Sequence, residues 1–227
     1  MVFLNIHQTG PMLKKATFLL TILVPAALGQ TPTPEAKKIN ERPVATPAPV
    51  VEPFDKSDVR TMASKCVTLD TEAGMIELEL YPEFAPETVR SFLNLTAQGL
   101  FDTTTFSRVV PGFVIQGGNI WTRTGGVTYA IGTRARRTLP DEPNRILHER
   151  GVVSMARGDE ANTATTNFFI LVDKASYLDG KFAAFGRVTR GMDVVDAINK
   201  ARVTDETPEK PVRIRKASLA DCSVKAP

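Results

Sequence analysis

The stretch FSRVVPGFVIQGG, residues 106–118, is two short apolar runs joined by a Pro-Gly pair, with one permanent cation, Arg108, inside the first run. A guanidinium is charged at every working pH and presents rigidly directed N–H donors. In apolar surroundings it can therefore stabilise a developing acceptor without taking or giving a proton. The plain alternative is an arginine whose stem lies along the strand while its head reaches water, and these residues alone leave both readings open. Other chemistries find little support. The histidines are His7, in a leader described below, and His148, in ILHERG. One histidine cannot make a His-rich zinc site, and no serine stands in a GxSxG context, so His148 is expected on a loop facing solvent. Gly117-Gly118 and Gly125-Gly126 lack the spacings that cradle phosphate. Arg134, Arg136 and Arg137 form a small basic cluster, expected on a solvated face and without the interleaved aromatics of a nucleic-acid binder. No metal or cofactor is implied, so any catalysis must work through binding and electrostatics.

The elements that would hold such a site can be followed along the chain. Its 227 residues, 42% hydrophobic with a formal charge of +3, suffice for one well-cored domain with appendages, and the near-neutral balance argues against a general polyanion binder. Residues 1–29 carry Lys14-Lys15, an apolar run over 16–28 and small residues before Gln30. This reads as a secretory signal peptide, its apolar run too short for a stable membrane span. Residues 30–60, with proline every few positions and mixed charge, read as a disordered, polyproline-like tether. The folded domain is expected over 61–224, with order beginning near Met62. Within it, CVTLDT and GMIELELY alternate as a strand pair whose inward set is Ile76, Leu78 and Leu80. FAPETVRSFLNLTAQGLF is a well-punctuated helix: Pro86 opens it, Val89, Phe92, Leu93 and Thr96 share a face, and Gly99 follows its end. Its Asn94-Leu95-Thr96 glycosylation triplet is taken as chance. Strands are expected over 105–110 and 114–118, then in GVVSMA, NFFILV and FAAFGRV after a Gly- and Arg-containing excursion over 119–150. A second helix over 191–200 and a last strand over 212–222 complete the pattern. The class is mainly β: a closed antiparallel eight-stranded barrel capped by two α-helices. Closure would bring the first strand beside the last, so Cys66 and Cys222 are either a disulfide, which export would permit, or two buried thiols.

FSRVVPGFVIQGG, followed in order by SMAR at 154–157, TNFFI at 166–170 and YLDGKFAAFGRV at 177–188, resembles the cyclophilin family of peptidyl-prolyl cis-trans isomerases, in a bacterial exported form. The resemblance covers the whole inferred domain and neither leader nor tether. It implies that Arg108 is the catalytic donor, with Gln116 orienting it and Phe113 beside it. It implies an apolar socket for a proline ring from Phe113, Val114, Phe169, Leu178 and Phe182, with Ala156, Arg157, Asn167 and Tyr177 lining the peptide groove. A two-residue Pro111-Gly112 turn would pair Arg108 with Ile115. A three-residue loop, Pro111-Gly112-Phe113, pairs it with Gln116 instead, and this irregular turn is expected. Composition alone would place Phe169 and Leu178 in the core; only the resemblance moves them to a site. Asn167, Tyr177, Phe182, Ser107 and Arg157 depart from the commonest family residues but leave Arg108, Phe113 and Gln116 intact. The expected function is acceleration of Xaa-Pro rotation in exported polypeptides, by a monomer in the bacterial periplasm with no nucleic-acid partner and no membrane insertion once the signal is removed. A non-catalytic peptide-binding or chaperone module using the same groove is the alternative.

Overall fold

The computed structural model describes residues 51–222; the leader and most of the tether lie outside them. Chain order runs α1 (Val59–Ala63), β1 (Lys65–Thr71), β2 (Gly74–Leu80), α2 (Pro86–Ala97), β3 (Arg108–Val110), β4 (Val114–Gly117), α3 (Tyr129–Ala135), β5 (Val152–Met155), β6 (Phe168–Leu171), β7 (Ala184–Arg190), α4 (Met192–Asn199), β8 (Val203–Thr204), β9 (Thr207–Pro208) and β10 (Ile214–Asp221). Eight strands form one antiparallel sheet in the order β10-β1-β2-β7-β5-β6-β4-β3, and β8 and β9 pair separately. The sheet is an open half-barrel, not the closed barrel expected, because β3 and β10 do not pair as strands. Turn and loop backbone joins their flanks instead: Ile214 donates to the Thr104 carbonyl at 2.8 Å, and Phe106 to that of Val212 at 2.9 Å.

α2 forms where the punctuation placed it, and its apolar face enters the concave side of the sheet. Phe92 stands at the centre, with its ring 5.0 Å from those of Phe101 and Phe185 and 5.3 Å from that of Phe168. Burying such a ring contributes about 1.5–3 kcal/mol, and Ile76, Leu78 and Leu80 join the same core as expected. Ala85 offers no side-chain cap to α2. The Glu142 carboxylate caps it from the long excursion, accepting from the backbone N–H groups of Glu87 at 3.0 Å and Thr88 at 2.8 Å. Asn94 is buried in α2, accepting from Phe54 N–H and donating to Asp55, which bears out the reading of its triplet as chance.

Three further expectations need correction. Order begins before Met62: Glu52 and Phe54, assigned to the tether, are buried, and Arg90 of α2 donates to the carbonyls of Phe54 and Ser57 at 2.7 Å each. Arg134 is not solvated; it pairs with Glu52 and donates to Ser91, so that part of the basic cluster anchors the entering chain. Two short helices, α1 and α3, add to the two expected. Cys66 and Cys222 are joined as a disulfide, their Cα atoms 4.9 Å apart, where β1 runs antiparallel beside β10.

Candidate active site

Arg108 and Gln116 face each other across the β3–β4 hairpin, with Val109 opposite Ile115 and Val110 opposite Val114. The connection is therefore the three-residue loop. Phe113 donates to the Val110 carbonyl at 3.0 Å and Gly112 has φ +71°, as a type II turn with proline first and glycine second requires. Asn199, the last residue of α4, clamps this turn. Its Oδ1 accepts from Gly112 N–H at 2.8 Å, and its Nδ2 donates to the carbonyls of Val110 at 2.9 Å and Val114 at 3.0 Å. Sequence reading did not single out Asn199.

Pairing continues the row across the sheet, Gln116 opposite Phe169 and Phe169 opposite Ser154. Because side chains alternate along a strand, Ile115, Phe168 and Ile170 enter the main core while Val114, Phe169 and Leu171 project from the other face. There they form a second apolar cluster with Val152, Ala175, Leu178 and Ala184, against which Phe113, Ala156 and Phe182 pack. Phe169 and Leu178 thus belong to this cluster and not to the barrel core. The Phe169 and Phe182 rings meet edge to face at 6.1 Å, and Phe113 lies 5.9 Å from Tyr177. Burial pushes the Tyr177 phenol up, and the Arg108 charge pulls it partly back, which places the two groups within each other's field.

The Arg108 guanidinium lies beside this cluster and is held at two points. Its Nη1 donates to Gln116 Oε1 at 3.2 Å and its Nε to Glu206 Oε2 at 2.7 Å. Glu206 lies 98 positions away in sequence, and no sequence pattern joins it to Arg108. Arg157 differs from expectation. Its Nη1 donates to the carbonyls of Gly158 at 2.8 Å and Asp159 at 3.2 Å, and its guanidinium lies 5.0 Å over the Phe182 ring. Arg157 therefore supports a wall of the cluster, with much of its donor capacity spent on its own loop. Asn167 is half-buried and adjoins Ala156, whose N–H donates to the Asn167 carbonyl at 3.0 Å.

His148 is also corrected: it is fully buried, not solvent-facing. Its Nδ1 lies 3.1 Å from Asp179 Oδ1 and its Nε2 3.2 Å from Ser154 Oγ. The carboxylate fixes the proton on Nδ1, leaving Nε2 to accept from the serine hydroxyl. Burial holds the His148 pKa below its ordinary 6.5, more strongly than Asp179 raises it. The order of groups is that of a nucleophilic triad, yet Ser154 is itself fully buried and no substrate carbonyl can reach it. What remains available is a directed guanidinium donor beside rings that can receive an apolar ring.

Comparison with known proteins agrees with this geometry. Residues 66–219 match the family described as cyclophilin type peptidyl-prolyl cis-trans isomerase/CLD. Peptidyl-prolyl cis-trans isomerase A of Dickeya dadantii is 34% identical over 167 residues, covering 67% of this chain and 83% of that one. The isomerase ppi1 of Schizosaccharomyces pombe is 38% identical over 154 residues, covering 66% and 96% respectively. Among solved structures, a cyclophilin-type isomerase of Cryptosporidium parvum, crystallised in the presence of the dipeptide Ala-Pro, is 26% identical with a TM-score of 0.60, covering 69% of this chain and 99% of that one. With the fold, the ordered motifs and the relatives in agreement, this chain belongs to the cyclophilin family of peptidyl-prolyl cis-trans isomerases.

Proposed function

We propose that Arg108 is the catalytic donor of this isomerase and that the cluster of Phe113, Val114, Phe169, Leu178 and Phe182 receives the proline ring of an Xaa-Pro peptide. One observation carries the reading: the guanidinium is fixed by Gln116 and Glu206 at the margin of an apolar cluster on the outer face of the sheet. Rotation about a peptide bond faces a barrier of about 18–20 kcal/mol, set by C–N double-bond character. At the midpoint the proline nitrogen is no longer conjugated and regains a lone pair. No bond breaks, so a donor aimed at that lone pair lowers the barrier by itself. Of five guanidinium N–H groups, one is given to Glu206 and one to Gln116; the others remain for substrate. Ala156 packs on this cluster, Tyr177 meets Phe113 and Asn167 adjoins Ala156, so the peptide would lie along these three residues. The Ala-Pro dipeptide named with the Cryptosporidium parvum structure supports a proline-containing ligand. The test is cis-to-trans exchange of a proline tetrapeptide by the wild-type protein and by Arg108→Ala, with equal rates for the two excluding the assignment.

We further propose that the protein works outside the cytoplasm as a monomer, in a bacterial periplasm, on exported polypeptides. The signal-like residues 1–29 and the Cys66–Cys222 disulfide support this. Fractionation of the native cell with an antibody to residues 61–224 tests it, and retention of the full-length chain in the cytosol would exclude it.

A further inference from the structure

β8 and β9 are joined by the two-residue turn Asp205-Glu206, with φ +48° and +64°. Both central residues in the left-handed region make this the type I′ geometry of tight hairpins, whose second position is ordinarily filled by glycine because a Cβ is crowded there. A glutamate at that position is locally unfavourable. Its backbone does not require it, since the carbonyl that accepts Val109 N–H at 2.8 Å would be present in any residue. What only a glutamate supplies is the carboxylate oxygen 2.7 Å from Arg108 Nε.

We propose that Glu206 is a positioning residue for Arg108, its strained backbone retained so that a charged acceptor reaches the guanidinium from the edge of β3. The inference rests on the reading of Arg108 as the catalytic donor. Both side chains are about two-fifths open to solvent, 37% and 38%, so water competes for the guanidinium and the neutral Gln116 bond at 3.2 Å would hold it loosely. A charge-assisted bond is shorter and stronger, and two acceptors, at Nε and Nη1, fix both the position and the plane of the group. The remaining N–H groups are thereby aimed. A carboxylate reduces the net charge beside the substrate, but the neutral lone pair of a twisted amide calls for a directed N–H rather than a full positive charge. Strain kept at a functional site for the sake of orientation is the recognised pattern.

The competing account is an ordinary surface ion pair, which would contribute little. Glu206→Gly separates the two, because glycine relieves the positive φ while removing the carboxylate. Positioning predicts a variant that melts no lower than the wild type, yet whose kcat on a proline tetrapeptide falls about 10-fold with KM nearly unchanged, as expected for a small misalignment. Glu206→Gln, whose neutral amide oxygen can accept the same bond without its charge assistance, should recover part of the rate and fall between the wild type and Glu206→Gly. The proposal is overturned if Glu206→Gly turns over like the wild type, if Glu206→Gln is as slow as Glu206→Gly, or if Glu206→Gly melts early enough to account for its lower rate. Failure of the underlying reading has a different signature, Arg108→Ala as fast as the wild type, and that result would remove both.

Discussion

Replacing Asn199 by alanine removes three hydrogen bonds from one turn and tests whether α4 holds the catalytic hairpin in register. The amide is buried, 6% exposed, and its partners are Gly112 N–H and the carbonyls of Val110 and Val114. A typical net contribution of about 1 kcal/mol per bond gives about 3 kcal/mol in total. Gly112 and Pro111 are exposed, so water can recover part of this, and the expected loss is about 2–3 kcal/mol. For a domain of this size that is a fall in melting temperature of about 5–10 °C. The same loop sets Arg108 opposite Gln116 and carries Phe113, so kcat/KM on a proline tetrapeptide should drop by about 10-fold or more. Asn199→Asp sharpens the test. A carboxylate can still accept from Gly112 N–H, but it meets two carbonyls to which it can no longer donate. At neutral pH the aspartate variant should therefore be less stable than the alanine variant, and it should regain stability as acid restores a donor. Urea unfolding with parallel turnover measurements decides the matter. Asn199→Ala within about 0.5 kcal/mol of the wild type and equally active would refute the clamp, and an aspartate variant more stable than the alanine one would refute the assignment of two donated bonds.

Three further outcomes are expected. Phe168→Ala and Phe169→Ala should diverge: the first, in the main core, should cost about 3–5 kcal/mol of stability, whereas the second, in the outer cluster, should cost less stability and more kcat/KM; the reverse order would place the proline socket elsewhere. Mutating both Cys66 and Cys222 to serine opens a link spanning 156 positions and should lower unfolding free energy by about 3–5 kcal/mol in urea, with a loss below about 1 kcal/mol contradicting the expectation. His148 titrates below its ordinary 6.5 because it is buried, so between pH 7 and the depressed native value the unfolded chain takes up a proton that the native one refuses. Its contribution is present above 6.5 and is lost as pH falls through that window; the difference in stability between wild type and His148→Gln should shrink from pH 7 to pH 5, and a constant difference would show that His148 does not titrate as argued. Asp179, held low chiefly by the His148 backbone N–H, adds a separate loss only below 3.8.

The motifs that survive translation into structure are those whose partners are near in sequence. The Arg108–Gln116 pairing follows from loop length and strand alternation over eight positions, and α2 from a proline, a glycine and one apolar stripe. The two faces of the site half of the sheet were harder to read. β5 and β6 are VVSM and FFIL, buried at every position, so no alternation marks which side chains enter the core and which build the outer cluster. Only the resemblance separated Phe169 from Phe168.

Beyond that range, residue types mislead in a consistent direction. A histidine without companions, a proline-rich entry and a run of arginines each read as solvent-facing, and in each case a polar partner distant in sequence reverses the reading: Asp179 for His148, Asn94 for the Phe54 N–H, and Glu52 for Arg134. Burying a polar group is tolerated once its partner is present, and local periodicity reports the apolar side of an element, not what will cover it. Glu206 is the limiting case, because its local signal is adverse. A glutamate with φ +64° contradicts the turn chemistry around it, and such a conflict is resolved only when Arg108 arrives from 98 positions away. A local preference that is broken where a long-range bond to a functional group is made is therefore the place to look for the rest of a site.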